Sequence, residues 1–445
     1  MNGLPSLSGY RRLAAWALMS ASLFSGASAQ AFQHRQGGTY YCPPKCYTPQ
    51  RMGADGRPLP PGAAMDSRTG QTQPGDAAQP GDAAQPGQAA QPNAIDQAQA
   101  TPAPSSLASA SQPASPNMIG DFLYSRMQII ATDTSIFPYT VSADIPLPSA
   151  RRFKVSESEN VLPQDRLFVT YNFFADAFTI DTSKFVVEPT LAAFNYHSGV
   201  AGFEKTLFGG NASVAVRLPF QNSINFNSEN FDINSDSGIG NAAITLKALL
   251  STSDSIQWGA GVSFMTPTGD DVTGSVNDIY FTIENDAVRI MPYIGFAYNP
   301  RGSRYFVQSS LQVDITANST DVVAETSRFR DPETTSFDEQ SLLYWDLSVG
   351  HWLYKNACTQ KAVAAIVELH YSTTLDDATA GIIHNGGTAI AFGAVPNDSD
   401  IYNLTLAMLC RCGRRDVIAG VVAPLNDKED KLFDHELVLQ VNQRF

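Results

Sequence analysis

His435-Glu436-Leu437-Val438-Leu439-Gln440-Val441-Asn442-Gln443-Arg444-Phe445 is the stretch whose reading decides the fold. Leu437, Leu439, Val441 and Phe445 share one parity; Glu436, Gln440, Asn442 and Arg444 share the other. A period of two with one apolar and one polar face is the signature of a β-strand. A closing aromatic on the apolar face resembles the terminal signal that barrel-assembly machinery reads in outer-membrane proteins, so Phe445 is the candidate assembly signal. The rival is a soluble sheet protein that ends on Phe by chance.

The same alternation recurs upstream. Ile256, Trp258, Ala260, Val262 and Phe264 line one face of a segment, and Tyr305, Val307, Leu311, Val313 and Ile315 line one face of another. Strands are expected near 166–178, 192–207, 212–220, 239–251, 255–267, 287–298, 304–316, 341–353, 362–374, 400–412, 415–424 and 432–445. Alternation alone fits a sandwich as well as a barrel, and the connections decide between them. Long polar connections (221–238, 268–286, 317–340, 375–399) alternate with tight ones such as Phe208-Gly209-Gly210-Asn211, Thr252-Ser253-Asp254 and Gly413-Arg414. Short turns at one end and long loops at the other are the plan of a bacterial outer-membrane barrel. The expected fold is therefore all-β, an antiparallel transmembrane barrel of about twelve strands over 166–445. An even count puts both barrel ends, and the N-terminal region, in the periplasm.

Upstream of the barrel the chain changes character. Arg11 and Arg12, the apolar run Leu13–Phe24 and Ala27-Ser28-Ala29 read as a signal peptide over 1–29. That run is too short to span a bilayer as a helix. Residues 30–49 form a short head with Cys42-Pro43-Pro44-Lys45-Cys46. Residues 50–117 are a Pro/Ala/Gln-rich spacer in which Gly75-Asp76-Ala77-Ala78-Gln79-Pro80 recurs, a composition expected to stay disordered. Residues 118–165 are a plug or a leader to the first strand. The net charge of −14 leaves no basic stripe for nucleic acid, which is excluded as a partner.

Two groups of runs carry a family resemblance: Phe153-Lys154-Val155-Ser156-Glu157-Ser158-Glu159-Asn160 with Asp165-Arg166-Leu167-Phe168-Val169-Thr170-Tyr171-Asn172-Phe173-Phe174, and Gly202–Phe208 with Gly210–Val214. They resemble a group of planctomycete exported barrel proteins, similar in layout to the "MetA-pathway of phenol degradation" group and more distantly to fatty-acid-transporter-like porins. The likeness spans about 150–445. It implies an outer-membrane barrel that passes or binds small, apolar molecules, and it carries over no binding residue.

If the apolar parity meets lipid, the other parity lines the lumen, because a charge on the lipid side costs about 2–4 kcal/mol at the midplane. The lumen candidates are Asn172, Glu204, Arg217, Lys247, Arg289, Asp314, Asp346, Glu368, His370, Arg411 and Arg444. Their mixed signs fit a mutually paired interior better than a ladder for a polar solute. The acidic residues of the long connections, including Asp270, Asp271, Asp321, Glu339 and Asp376, read as solvated faces, with divalent-cation binding as the rival. They lack the spaced Asp-x-Asp-x-Asp-Gly order of a calcium loop, and neither a metal nor another cofactor is expected.

Cys358 precedes one strand, and Cys410 and Cys412 end its neighbour on the same side, so a disulfide from Cys358 to either is expected, with Cys42–Cys46 closing a separate loop. No Gly-x-Ser-x-Gly motif occurs, and the His370–Glu368 pair reads as lumen packing, so an enzyme is disfavoured. Two readings remain. One is a channel or facilitator for small solutes. The other is a structural or surface-interaction barrel whose spacer and cysteine head engage the cell wall or a partner. Outer-membrane lipid and the barrel-assembly machinery are partners in both.

Overall fold

The structure, a computed structural model, describes residues 115–445 apart from 122, 134–138, 182–190, 222–223, 228–230, 236–237, 327–330, 357, 394–398 and 427–430. The expected signal peptide, the Cys42–Cys46 head and the spacer up to 114 lie outside the described residues.

A hairpin comes first, β1 (Leu123–Asp133) and β2 (Tyr139–Arg152). Next are β3 (Arg166–Asp181), β4 (Leu191–Leu207), β5 (Ala212–Gln221), β6 (Ile224–Asn227), β7 (Phe231–Ser235) and β8 (Gly238–Ile239). Then follow β9 (Ala243–Thr252), β10 (Ile256–Met265), β11 (Val272–Val276), β12 (Ile279–Ile283), β13 (Arg289–Tyr298) and β14 (Tyr305–Thr316). After these run β15 (Thr320–Thr326), β16 (Glu333–Phe337), β17 (Leu342–Asn356) and β18 (Lys361–Thr374). The last are β19 (Gly381–Asn385), β20 (Thr388–Phe392), β21 (Asp400–Cys412), β22 (Arg415–Pro424) and β23 (His435–Arg444).

Twelve of these form the barrel: β3, β4, β5, β9, β10, β13, β14, β17, β18, β21, β22 and β23. Each pairs antiparallel with the next, and β23 returns to β3, with Arg444 opposite Arg166 and Leu439 opposite Tyr171. Closure leaves no barrel strand with an unpaired edge, the condition for burying a sheet in lipid. The outer face carries Leu167, Val169, Leu246, Ile294, Leu311, Leu406 and Leu439, all exposed. Polar residues of the other parity are buried: Ser263, Gln308, Ser310, Gln312 and Asp314 are each at most 1% exposed. The twelve expected segments all fall on these strands, because an apolar outer face and a packed interior write the period of two into the sequence.

The long connections differ from the expectation of solvated loops. They fold into a second sheet, in the order β16-β15-β12-β11-β7-β6. Beside it, β1 pairs with both β2 and β20, and β20 with β19. Met127, Ile129, Val141 and Ile145 of the hairpin join Phe231, Ile233, Phe281, Val322, Phe337 and Phe392 in one buried cluster. Burying a side chain of this size contributes roughly 1.5–3 kcal/mol, which is why five-residue strands persist there. The long-loop end is therefore a cap with its own apolar core.

The segment before β3 runs through the barrel. Asn117 meets Asn442 and Gln164 near the tight-turn end (2.9 and 2.7 Å). Further along, Asp121 accepts from Asn403 (2.7 Å), and the hairpin then reaches the far rim, where Ala143 lies opposite Ile180 of β3. Residues 153–164 return through the interior to the tight-turn end and enter β3.

Candidate functional site: the filled lumen

The two lumenal runs pair with each other. Met118 N–H donates to the Glu159 carbonyl (2.9 Å) and Ser158 N–H to the Ile119 carbonyl (3.2 Å). Gly120 makes this approach possible. It has φ +76°, and a Cβ there would lie 2.6 Å from Glu157 Cα. The wall makes room as well, since a Cβ on Gly259 would lie 2.3 Å from the Val161 carbonyl oxygen.

Wall side chains satisfy the backbone of the enclosed runs, which has no ladder of its own. Gln312 accepts from Val155 N–H (2.6 Å) and donates to the Phe153 carbonyl (2.8 Å). Gln308 donates to the Pro116 carbonyl (2.8 Å), and Glu368 accepts from the N–H groups of Ile119 and Gly120 (3.0 and 2.8 Å).

Three charged layers stack along the axis. Toward the tight turns, Glu159 of the returning run meets Arg166 (3.2 Å), Lys247 (3.2 Å) and Arg217 (3.8 Å). Glu204 meets Arg166 (2.9 Å) and Lys247 (3.0 Å). In the middle, His370 Nδ1 lies 2.8 Å from Asp346 and 3.5 Å from Asp121, and Lys154 Nζ lies 2.6 Å from Asp121. Toward the cap, Asp314 pairs with Arg152 (3.2 Å) and Arg289 (3.4 Å), and Glu339 pairs with both arginines. Glu339 is thus a buried counter-charge, which corrects its reading as part of a solvated loop.

Of the lumen candidates, Asn172, Glu204, Arg217, Lys247, Arg289, Asp314, Asp346, Glu368 and His370 are buried inside the barrel. Asn172 donates to Glu436 (2.6 Å). Arg411 and Arg444 stand partly exposed at the tight-turn mouth and share Asp416 (2.7 and 3.3 Å). Sequence reading missed Asp121, Lys154 and Glu159 of the enclosed runs and Arg152 at the end of β2. One signal for them was available: Arg217 and Lys247 outweigh Glu204 on neighbouring strands, and a buried surplus of cations needs an acid from elsewhere.

The expected Cys358–Cys410 or Cys358–Cys412 disulfide is not seen. All three cysteines are exposed and none is joined in a disulfide. The register sets Val363 opposite Cys410 and Lys361 opposite Cys412, and both cysteines lie on the exposed outer face of β21. Among the described residues, two groups bring carboxylates, with or without a histidine, within 4.8 Å: Asp121, Asp346 and His370, and Glu284, Asp286 and Asp321. In the first, the Lys154 ammonium already takes a cation's place.

No family model and no curated protein matches the chain. Among solved structures, the chain is similar to an outer membrane channel from Pseudomonas putida F1 (11% identity, TM-score 0.40, covering 64% of this chain and 97% of that one). It is also similar to the toluene transporter TbuX of Ralstonia pickettii (8% identity, TM-score 0.32, 64% and 90%). A third is the toluene transporter TodX of Pseudomonas putida (10% identity, TM-score 0.30, 63% and 88%).

Proposed function

We propose that this chain is an outer-membrane barrel that passes small solutes along a selective path, closed here by its own residues 115–121 and 153–164. The observation that carries the reading is the kind of bond holding those runs. They meet the wall through hydrogen bonds and ion pairs to single side chains, as Glu368 does with Ile119 and Gly120, and such contacts can break and re-form in place. The outward apolar belt supports a membrane setting, with the tight turns toward the periplasm. A barrel of twelve strands is narrow beside open porins, which favours small solutes over wide diffusion. The preference for apolar solutes, and the placement with the planctomycete and phenol-degradation barrel group, rest on the sequence runs quoted above.

Single-channel conductance tests the reading, comparing the full chain with one that starts at Asn160. Ion-selective openings that grow when the enclosed runs are removed support it. Silence in both, from protein shown to be folded and inserted, overturns it. That silence would favour a surface-interaction barrel, a reading supported by the apolar core that joins hairpin and loop sheet into one cap.

A further inference from the structure

Lys355, Ala362, Arg411, Asp416 and Asn442 lie side by side in one register row across β17, β18, β21, β22 and β23, at the tight-turn end. Asp416 and Asn442 are buried on the lumenal face, and residues opposite one another in an antiparallel sheet share a face, so the row faces inward. Lys355 and Arg411 flank the small side chain of Ala362, about 10 Å apart at two strand spacings. Both cations sit over the Trp352 ring, Lys355 Nζ at 5.0 Å and Arg411 Cζ at 5.5 Å from its centroid. Arg444 joins them through Asp416, which Arg411 grips with both Nε and Nη2 (2.7 and 2.8 Å).

The cluster therefore holds three cations against one carboxylate, in a chain whose net charge is −14. It also holds more donors than acceptors. Among the described residues, Lys355 makes no hydrogen bond or ion pair. The Trp352 indole N–H, on a side chain 2% exposed, has no acceptor, and neither has Arg444 Nε. An unmatched buried donor costs about 1–3 kcal/mol, and two of them at a mouth that already carries three cations point to a missing acceptor. Positive charge and N–H groups together select an oxyanion, since charge-assisted bonds are the stronger kind.

We propose that this mouth binds a phosphate-class oxyanion between Lys355 and Arg411, over Ala362 and Trp352. Two sources carry that chemistry: a free phosphate-bearing solute and the headgroup of a phospholipid in the adjacent leaflet. The site needs no transport to be read, so its failure and that of the channel reading are separable.

The test is calorimetric binding of inorganic phosphate to the full chain in zwitterionic micelles, with the melting temperature in phosphatidylglycerol-containing against pure phosphatidylcholine nanodiscs as the second arm. Ala362→Met adds bulk between the two cations without removing a charge, Lys355→Gln removes one cation, and Trp352→Phe keeps an aromatic ring but removes the indole N–H. Lys361→Gln removes an exposed cation of the same end. Saturable phosphate binding that Ala362→Met and Lys355→Gln weaken at least ~10-fold, with Lys361→Gln unchanged, supports a solute site. Stabilisation by phosphatidylglycerol alone, lost in Ala362→Met and Trp352→Phe, supports the headgroup as the source. No saturable response in either arm, or an equal loss in Lys361→Gln, overturns the proposal.

Discussion

The Glu368 carboxylate accepts a hydrogen bond from Gly120 N–H at 2.8 Å, fastening a segment that belongs to no sheet to the wall strand that encloses it. The same carboxylate takes Ile119 N–H at 3.0 Å and lies 3.4 Å from His370 Nε2. Both partners are fully buried, so water cannot replace the bonds without opening the lumen.

Glu368→Gln should therefore loosen the enclosed run while leaving the barrel closed. An amide keeps the shape but removes the charge and turns one of the two acceptor oxygens into a donor, a cost of about 1–3 kcal/mol. A lower urea midpoint is expected, together with faster hydrogen exchange at residues 118–121. If those amides exchange as in the parent chain, Glu368 does not hold the segment.

The barrel was legible because each of its strands must alternate over its whole length. Leu437, Leu439 and Val441 show the rule as clearly as any stretch. The cap was not legible. Val272-Thr273-Gly274-Ser275-Val276 is five residues long, sits among Asp270, Asp271 and Asp278, and buries its two valines in a cluster drawn mostly from segments far away in sequence. The lumenal runs were harder still. Lys154 and Glu159 carry no mark of burial in the sequence, yet both are 0% exposed, and only the three-dimensional arrangement supplies Asp121, Arg166, Arg217 and Lys247 as their counter-charges.

At the cap, burial together with Asp286, Asp271 and Asp321 holds the Glu284 carboxyl above its usual range. A carboxyl whose pKa is raised on folding favours the folded state when protonated. Its contribution is fully present at low pH and falls as pH rises from the ordinary glutamate range through the raised value. Amides of 284–288 should exchange more slowly at mildly acidic than at neutral pH after correction for intrinsic rates, and Glu284→Gln should flatten that dependence. An unchanged profile in the variant would assign the pH effect to other groups.

The exposure of the cysteines offers a test of orientation. Cys358 is exposed in a tight turn, whereas Cys410 and Cys412 project from the outer face of β21 beside Leu406 and Met408. In a chain that retains only Cys358, a membrane-impermeant maleimide should label intact cells poorly and permeabilised cells fully. Full labelling of intact cells would place the tight turns outside and reverse the orientation.

Phe445 allows an assembly signal to be separated from a packing role. Its ring stacks on Phe203 of β4 (centroids 5.9 Å apart, planes inclined 14°), and Lys205 Nζ lies 5.2 Å from its centroid. The residue thus reaches across β3 at the seam where the barrel closes. An aromatic pair of this kind contributes about 0.5–1.5 kcal/mol beyond its buried area. Phe445→Ala should therefore lower the stability of protein refolded in detergent by only about 1 kcal/mol, read as a small shift in urea midpoint. In cells, a residue read by the assembly machinery has a larger effect, seen as several-fold less barrel in the outer membrane and more unfolded chain in the periplasm. Phe445→Trp keeps an aromatic ring at this position and should restore most of the yield. Equal, slight losses in cells and in detergent would reduce Phe445 to a seam contact with Phe203.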